Sequence, residues 1–392
     1  MIRTEKNGIA MPIFLHTADW QIGRLFATFD PEHAPLLAEA RITVVERLAA
    51  LATDQGVSAV LVAGDVFDAQ TLSDRTVRRL FNALSAFAGP WLMIPGNHDA
   101  ALAESVWTRA QRLGAVPANV HLCLIPEVRL FPELGFAVLP APLTQRHTYG
   151  DLTDWFDTAE TPEGLLRIGL AHGSVQGILA EDIDSANPIA MDRPERARLD
   201  YLALGDWHGT KIVGPKLAYS GTPEPDRFKA NDSGQALMVE IPSVGAVPQI
   251  TPVSTAQFQW RSIAAELQVE SDADLLMGQL QALQSNEVID LTITGRVSLA
   301  IQNRLLDAIG QAEASARHLQ ADLSGLQLVP SDDDIAGLQA DGYLAEVISE
   351  LRAANATPDA EDATVAQDAL ALLAAELSNR PALTTTSGRA QP

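Results

Sequence analysis

Residues 57–63 read Val-Ser-Ala-Val-Leu-Val-Ala and stop at Gly64-Asp65. A run so apolar and β-branched is what a strand covered on both faces requires. It predicts a layered fold, with helices or a second sheet on either side. Ahead of it, Leu36, Leu37, Ala40, Val44, Leu48 and Leu51 recur close to a 3.6 period, which predicts a helix over 34–53. A second helix is expected over 73–87. Further strands are expected at 12–17, 91–94, 136–139, 167–171 and 201–204, and the last four end where a charged, His or Gly-rich group begins. Runs near 216–219 and 235–241 have no long helix between them and predict hairpins. The expectation for 12–250 is an α/β fold, a two-sheet β-sandwich flanked by helices.

After Pro248 the pattern changes. Strands at 258–263, 288–294 and 318–328 alternate with helices at 272–283 and 299–311, which predicts a small α/β domain over 251–330. A helical tail over 331–380 follows, with helices near 335–353 and 364–377, and residues 381–392 are expected to be disordered. At the other end, Met11 directly precedes the first strand and residues 1–10 carry no periodic apolar pattern, so translation is expected to start at Met11.

Composition narrows the class. The 392 residues carry 27 Lys and Arg against 50 Asp and Glu, a net charge of −23, which repels polyanions at long range. Residues 1–250 hold 20 basic and 30 acidic side chains and residues 251–392 hold 7 and 20, so the shorter C-terminal part is the more acidic. Cys123 is the one cysteine, so no internal disulfide forms. No apolar run approaches the roughly 20 residues of a spanning helix, and the first residues lack the apolar core of a secretion signal. A cytoplasmic location without membrane attachment is expected.

Five polar clusters fall at the predicted strand ends: Asp19-Trp20-Gln21, Gly64-Asp65-Val66-Phe67-Asp68, Gly96-Asn97-His98-Asp99, Ala171-His172-Gly173 and Gly205-Asp206-Trp207-His208. One Asp after a strand is usually a turn or cap residue. Five clusters of carboxylate, amide and imidazole at one sheet edge are ligands for a pair of divalent cations. Two such cations need a shared carboxylate to damp their repulsion, and Asp65 is the candidate bridge. The glycines before Asp65, Asp206 and the Asn97-His98 pair allow sharp turns and close approach.

These motifs resemble those of the calcineurin-like metallophosphoesterases, and within them the SbcD and YhaO type DNA repair nucleases. HTADWQIGR, GDVFD, PGNHD and AHGS resemble the first four family motifs in order and spacing, GDWH stands at the place of GHxH, and YSGTPEPDRF resembles the stretch that follows it. The motif similarity covers about 12–242; the later domains match only in layout, 251–330 as a cap. The resemblance implies that Asp19, Gln21, Asp65 and His208 hold one metal and Asp65, Asn97, His172 and Asp206 the other. It also implies that His98 faces the scissile phosphate and protonates or steadies the leaving oxygen, with Asp99 as an orienting partner. Asp68 is expected to orient a ligand or contact substrate. The implied activity is a DNA exonuclease, with endonuclease activity as an extension, partnered by an SbcC or YhaN type coiled-coil ATPase that docks on the tail helices. No Walker-type phosphate loop is present, so any ATP dependence belongs to that other chain.

Gln21 and Asp206 stand where the family has histidines. Both keep an oxygen donor, so the site exchanges two nitrogens for two oxygens and one negative charge, favouring Mn²⁺, or Mg²⁺, over Zn²⁺. Arg24, Lys211 and Arg227 are candidate phosphate contacts, with Lys216 and Lys229 in the same basic stretch, whereas Arg75, Arg78 and Arg79 fall on the solvent face of a predicted helix. His16, His121 and Cys123 are expected in strands and in the core. The alternatives are a small-molecule phosphodiesterase or phosphomonoesterase on the same metals, which the acidic surface would tolerate better, and an inactive scaffold for the ATPase. A homodimer stays open.

Overall fold

A computed structural model describes residues 5–6, 9–10, 12–177, 186–331, 334, 342–355 and 360–378. Met11, residues 335–341 of the expected tail helix and the expected disordered tail 381–392 lie outside the described residues. The chain divides into two compact units, Met1–Trp260 and Arg261–Pro392.

In the first unit the described chain runs β1 (Ile13–Thr17), α1 (Ala34–Asp54), β2 (Ala59–Ala63), α2 (Asp74–Ala83), β3 (Trp91–Ile94), α3 (Val106–Arg112), β4 (Val120–Leu122), β5 (Arg129–Phe131), β6 (Phe136–Ala141), β7 (Leu166–His172), β8 (Tyr201–Gly205), β9 (Lys211–Gly214), β10 (Leu217–Tyr219), β11 (Gln235–Glu240) and β12 (Gln249–Ser254). One six-stranded sheet has the order β12-β11-β1-β2-β3-β4 and a second the order β9-β10-β8-β7-β6-β5. Strands β1 to β4 are parallel, as are β6, β7, β8 and β10. Both hairpins expected near 216 and 235 are present as antiparallel pairs, β9 with β10 and β11 with β12. The mixed α/β architecture of two sheets flanked by helices is the one the sequence predicts.

Alternation along each strand explains why the runs look uniformly apolar. Phe14, Leu61, Leu92 and Ile94 point into the sandwich against Phe136, Val138, Ile168, Leu170 and Tyr201 of the other sheet. Their neighbours Leu15, Val60, Val62, Trp91 and Met93 point out against Val44, Leu48, Val77, Leu80, Phe81 and Trp107 of the helical layer. Both faces are dry, so neither tolerates a polar alternate. The exception is His16, whose Nε2–H donates to the Leu204 carbonyl at 3.1 Å while Nδ1 accepts from the Tyr201 hydroxyl at 2.8 Å. It joins β1 to β8 across the sandwich interior.

In the second unit, β13 (Gln259–Leu267), β14 (Glu287–Val297) and β15 (His318–Leu328) form a three-stranded sheet with α4 (Glu270–Gln281) and α5 (Leu299–Ser315), followed by α6 (Tyr343–Asn355) and α7 (Ala360–Ser378). Its core is Leu276, Leu280, Ile289, Leu291, Leu305 and Ile309 with their neighbours. No helix among the described residues is long and apolar enough to cross a membrane.

Candidate metal centre

The loops leaving β1 and β2 continue to pair after the strands end. Asp19 N donates to Gly64 O at 3.0 Å, Gln21 N to Asp65 O at 3.0 Å, Ile22 N to Val66 O at 2.9 Å, and Asp68 N back to Ile22 O at 3.0 Å. This zipper brings the first two motifs side by side. Asp19, Gln21, Asp65 and Asp206 all have left-handed backbones, with φ of 55°, 50°, 51° and 98°. Such conformations cost roughly 1–3 kcal/mol each and persist only where the surroundings over-determine them. Glycine is needed where backbones meet: a Cβ on Gly96 would lie 2.2 Å from Asp65 Oδ1 and 2.5 Å from Asp65 N.

Ligand-type atoms of Asp19, Asp65 and His172 lie within 4.8 Å of one another, and all three residues are buried. Gln21 Nε2 donates to Asp65 Oδ2 at 2.8 Å. The backbone N–H of Asp206 faces both carboxylate oxygens of Asp19 at 3.2 Å. His172 Nδ1–H donates to the Ala63 carbonyl at 2.8 Å, which leaves Nε2 facing Asp65 Oδ1 at 3.6 Å and Asp206 Oδ1 at 3.7 Å. Burial and the neighbouring carboxylates push Asp19 up to about 6 and raise Asp206. Burial works to lower His172, but Asp65, Asp19 and Asp206 outweigh it and lift the imidazole to about 9. The protein alone therefore holds three crowded carboxylates that lack enough positive charge.

Gln21 Oε1, Asn97 Oδ1 and His172 Nε2 are buried with no hydrogen-bond partner. Buried polar atoms are otherwise almost always paired, and three orphans of metal-ligand type around a carboxylate cluster fit divalent cations. The oxygen-rich donor set, with Gln21 and Asp206 contributing oxygens, suits hard ions.

His98 sits beside this cluster. Its N–H donates to Asp65 Oδ1 at 2.9 Å, and its Nδ1–H donates to the Asp68 carbonyl at 2.9 Å, since a carbonyl only accepts. Nε2 is thereby left free, 4.0 Å from Asp65 Oδ2. Asp68 thus orients His98, through its main chain. Asp99 does not contact the ring: its carboxylate accepts from Gly96 N at 2.6 Å and Phe67 N at 3.1 Å, tying the second and third motif loops together. Burial and nearby Asp65 push Asp99 up to about 8.

The basic candidates separate. Arg24 pairs with Asp226 at 3.1 Å and Asp68 at 3.7 Å. Arg227 is held by Asp226, and its Nη2 reaches His208 Nδ1 at 3.0 Å. Lys211 lies over the Trp207 ring, 5.3 Å from its centroid. Lys216 turns away to the Leu199 carbonyl. Arg75, Arg78 and Arg79 are exposed and His16 and Cys123 are buried, whereas His121, expected in the core, is only half-buried.

Two further residues of the site are not singled out in the sequence, although one of them, Asp226, lies within the YSGTPEPDRF stretch. Asp226, 4% exposed, is a hub: its Oδ2 also lies 3.2 Å from His208 Nδ1, leaving Nε2 of that ring for a ligand. Burial alone would raise this carboxyl, but His208, Arg227 and Arg41 hold it far below the usual range. The signal that could have found it is its place beside Arg227 in the YSGTPEPDRF stretch. Arg41 is fully buried in α1 and donates to the carbonyls of Trp20, Glu224 and Pro225 and to the Thr222 hydroxyl, binding the first motif to the loop that presents Asp226. The sequence does carry a signal for Arg41, since a helical period places it on the apolar face with Leu37, Val44 and Leu48.

Comparison with known proteins agrees with this geometry. Over 94 residues the chain is 39% identical to the D subunit of the nuclease SbcCD from Rhodobacter capsulatus, a stretch covering 22% of this chain and 21% of that protein. The match thus spans about a fifth of that relative's length. The model of the calcineurin-like phosphoesterase family matches residues 13–227, the span that contains the parallel strands of both sheets and every residue of the cluster. With more than half of its length so matched, the chain belongs to the calcineurin-like phosphoesterase family, whose members are metal-dependent phosphoester hydrolases.

Proposed function

We propose that this chain is a metal-dependent DNA phosphodiesterase, an exonuclease acting in DNA repair with endonuclease activity as an extension, and the nuclease subunit of a complex with an SbcC or YhaN type ATPase. The buried Asp19, Asp65 and His172 cluster, with its orphaned Gln21, Asn97 and His172 atoms, is the observation that carries it. Asp19, Gln21, Asp65 and His208 would hold one ion and Asp65, Asn97, His172 and Asp206 the other, with Mn²⁺ preferred. When bound, the ions supply Lewis acidity and neutralise charge developing at phosphorus. His98 does the proton work: Nδ1–H is fixed on the Asp68 carbonyl, so Nε2 is the atom that takes a proton from solvent and passes it to the departing oxygen. Asp99 serves by bracing the loop that presents Asn97 and His98, and Asp226 by setting the plane of His208.

The nuclease reading is supported by the stretch shared with the SbcCD nuclease of Rhodobacter capsulatus, and the ATPase partner by the helix pair α6–α7, which leaves Tyr343, Val365 and Leu372 exposed. In this reading residues 12–250 are the catalytic domain, 251–330 the cap and 331–380 the docking tail, in a cytoplasmic protein. A net charge of −23 favours a second reading, a small-molecule phosphodiesterase on the same site.

The test is purified full-length protein with Mn²⁺ on linear duplex, single-stranded DNA and a chromogenic diester, beside Asp65→Asn and His98→Ala. DNA cleavage abolished in both variants is expected. Diester turnover without DNA cleavage would favour the second reading, and no turnover with any metal would favour a scaffold.

A further inference from the structure

Lys211 and Lys229 differ from the other cations around the site. Arg24 is paired with Asp226 and Asp68 and Arg227 with Asp226, and Lys216 is spent on the Leu199 carbonyl. Among the described residues, no ion pair joins Lys211 or Lys229 to a carboxylate. Both ammonium groups instead lie over one ring, Trp207, at 5.3 and 4.8 Å from its centroid.

The two lysines come from separate stretches of chain that the backbone clasps together. Thr210 N donates to Asp232 O at 3.3 Å, and Thr222 N to His208 O at 3.0 Å. A Cβ on Gly209 would stand 2.0 Å from the Asn231 carbonyl oxygen, so the loops touch main chain to main chain. Trp207 is half-buried and packs on the outer core of the second sheet, which makes it a fixed support. It is also the residue between Asp206 and His208, about 3.8 Å in Cα position from each.

A flexible lysine stem loses rotamer entropy when it binds a phosphate, and a ring that already holds the ammonium by cation–π attraction reduces that loss. In a chain of net charge −23, two ammoniums resting on the residue between two candidate metal ligands act at short range, on a substrate already docked. The metal cluster takes the scissile phosphate, so these cations suit a second one.

Resting on the DNA-phosphodiesterase reading above, we propose that Lys211 and Lys229, propped on Trp207, grip a phosphate flanking the scissile one. The site then selects a phosphodiester chain over a substrate with a single phosphate.

The experiment compares kcat/KM of full-length protein with Mn²⁺ on a single-stranded oligothymidylate and on bis(4-nitrophenyl) phosphate. In the Lys211→Ala/Lys229→Ala double variant the ratio of the two should fall at least tenfold, and the salt slope on the oligonucleotide should shrink by about 0.7 for each phosphate no longer held. Trp207→Leu should lower the ratio in the same direction. Lys216→Ala, which removes the same kind of charge elsewhere, should leave it unmoved. A ratio unchanged within twofold in the double variant, whether both activities fall or neither does, overturns the proposal, as does an equal fall in Lys216→Ala. Wild-type protein that turns over the small diester but no oligonucleotide overturns the DNA reading itself, and does so before any variant is made.

Discussion

At the scale of single residues, the centre depends on side chains that hold other side chains still. Asp226 faces His208 Nδ1 at 3.2 Å while answering two arginines. Asp226→Asn should leave the fold in place but raise the Mn²⁺ concentration for half-maximal activity about tenfold or more, in line with losses at partners of metal ligands; a metal-activation curve checks this. Gly96→Ala has no room, with Asp65 Oδ1 at 2.2 Å from the added carbon. A steric insertion of this kind costs about 1–3 kcal/mol, so its thermal midpoint should drop and its activity fall at least a hundredfold. Asp19, Asp65 and His172 can be named from the sequence because each follows an apolar strand within a spaced motif. Asp226 lies in the YSGTPEPDRF stretch, but its role is hidden there, because its partners Arg24, His208 and Arg41 are brought to it only by the folded chain.

At the scale of elements, the strands are legible where both faces are buried. Trp91–Ile94 has the bounds expected of it, since a four-residue apolar run between Pro90 and Pro95 can be little else. The helix Val106–Arg112 is not foreseen, having too few turns to reveal a period. The short strand Arg129–Phe131 is likewise hidden, whereas Val120–Leu122 holds His121, which the sequence places in a strand. His16 illustrates coupling between elements, because it bridges β1 and β8. Burial drives its pKa from 6.5 down to about 3 in the folded protein, so below pH 6.5 the unfolded chain binds the proton that the folded one refuses. Stability from this group is therefore complete above pH 6.5 and is lost as pH falls toward 3. Between pH 7.5 and 5.5 the loss should be about 1.4 kcal/mol. Urea titrations of wild type and His16→Gln should show this part of the slope disappearing with the histidine.

At the scale of the whole molecule, the division into Met1–Trp260 and Arg261–Pro392, each with its own core, predicts separate responses to metal. In calorimetry, Mn²⁺ at a hundred times its dissociation constant should stabilise the larger unit by about 2.7 kcal/mol, roughly 5–10 °C. EDTA should reverse that shift and leave the transition of the smaller unit in place; equal movement of both would contradict a centre confined to the first. The larger unit's left-handed turns at Asp19, Gln21, Asp65 and Asp206 have an effect on timing. Such torsions are held by the hydrogen bonds between the first two motif loops. Crystals grown with and without manganese should superpose at these loops, and capture should be limited by how fast the hydrated ion sheds water.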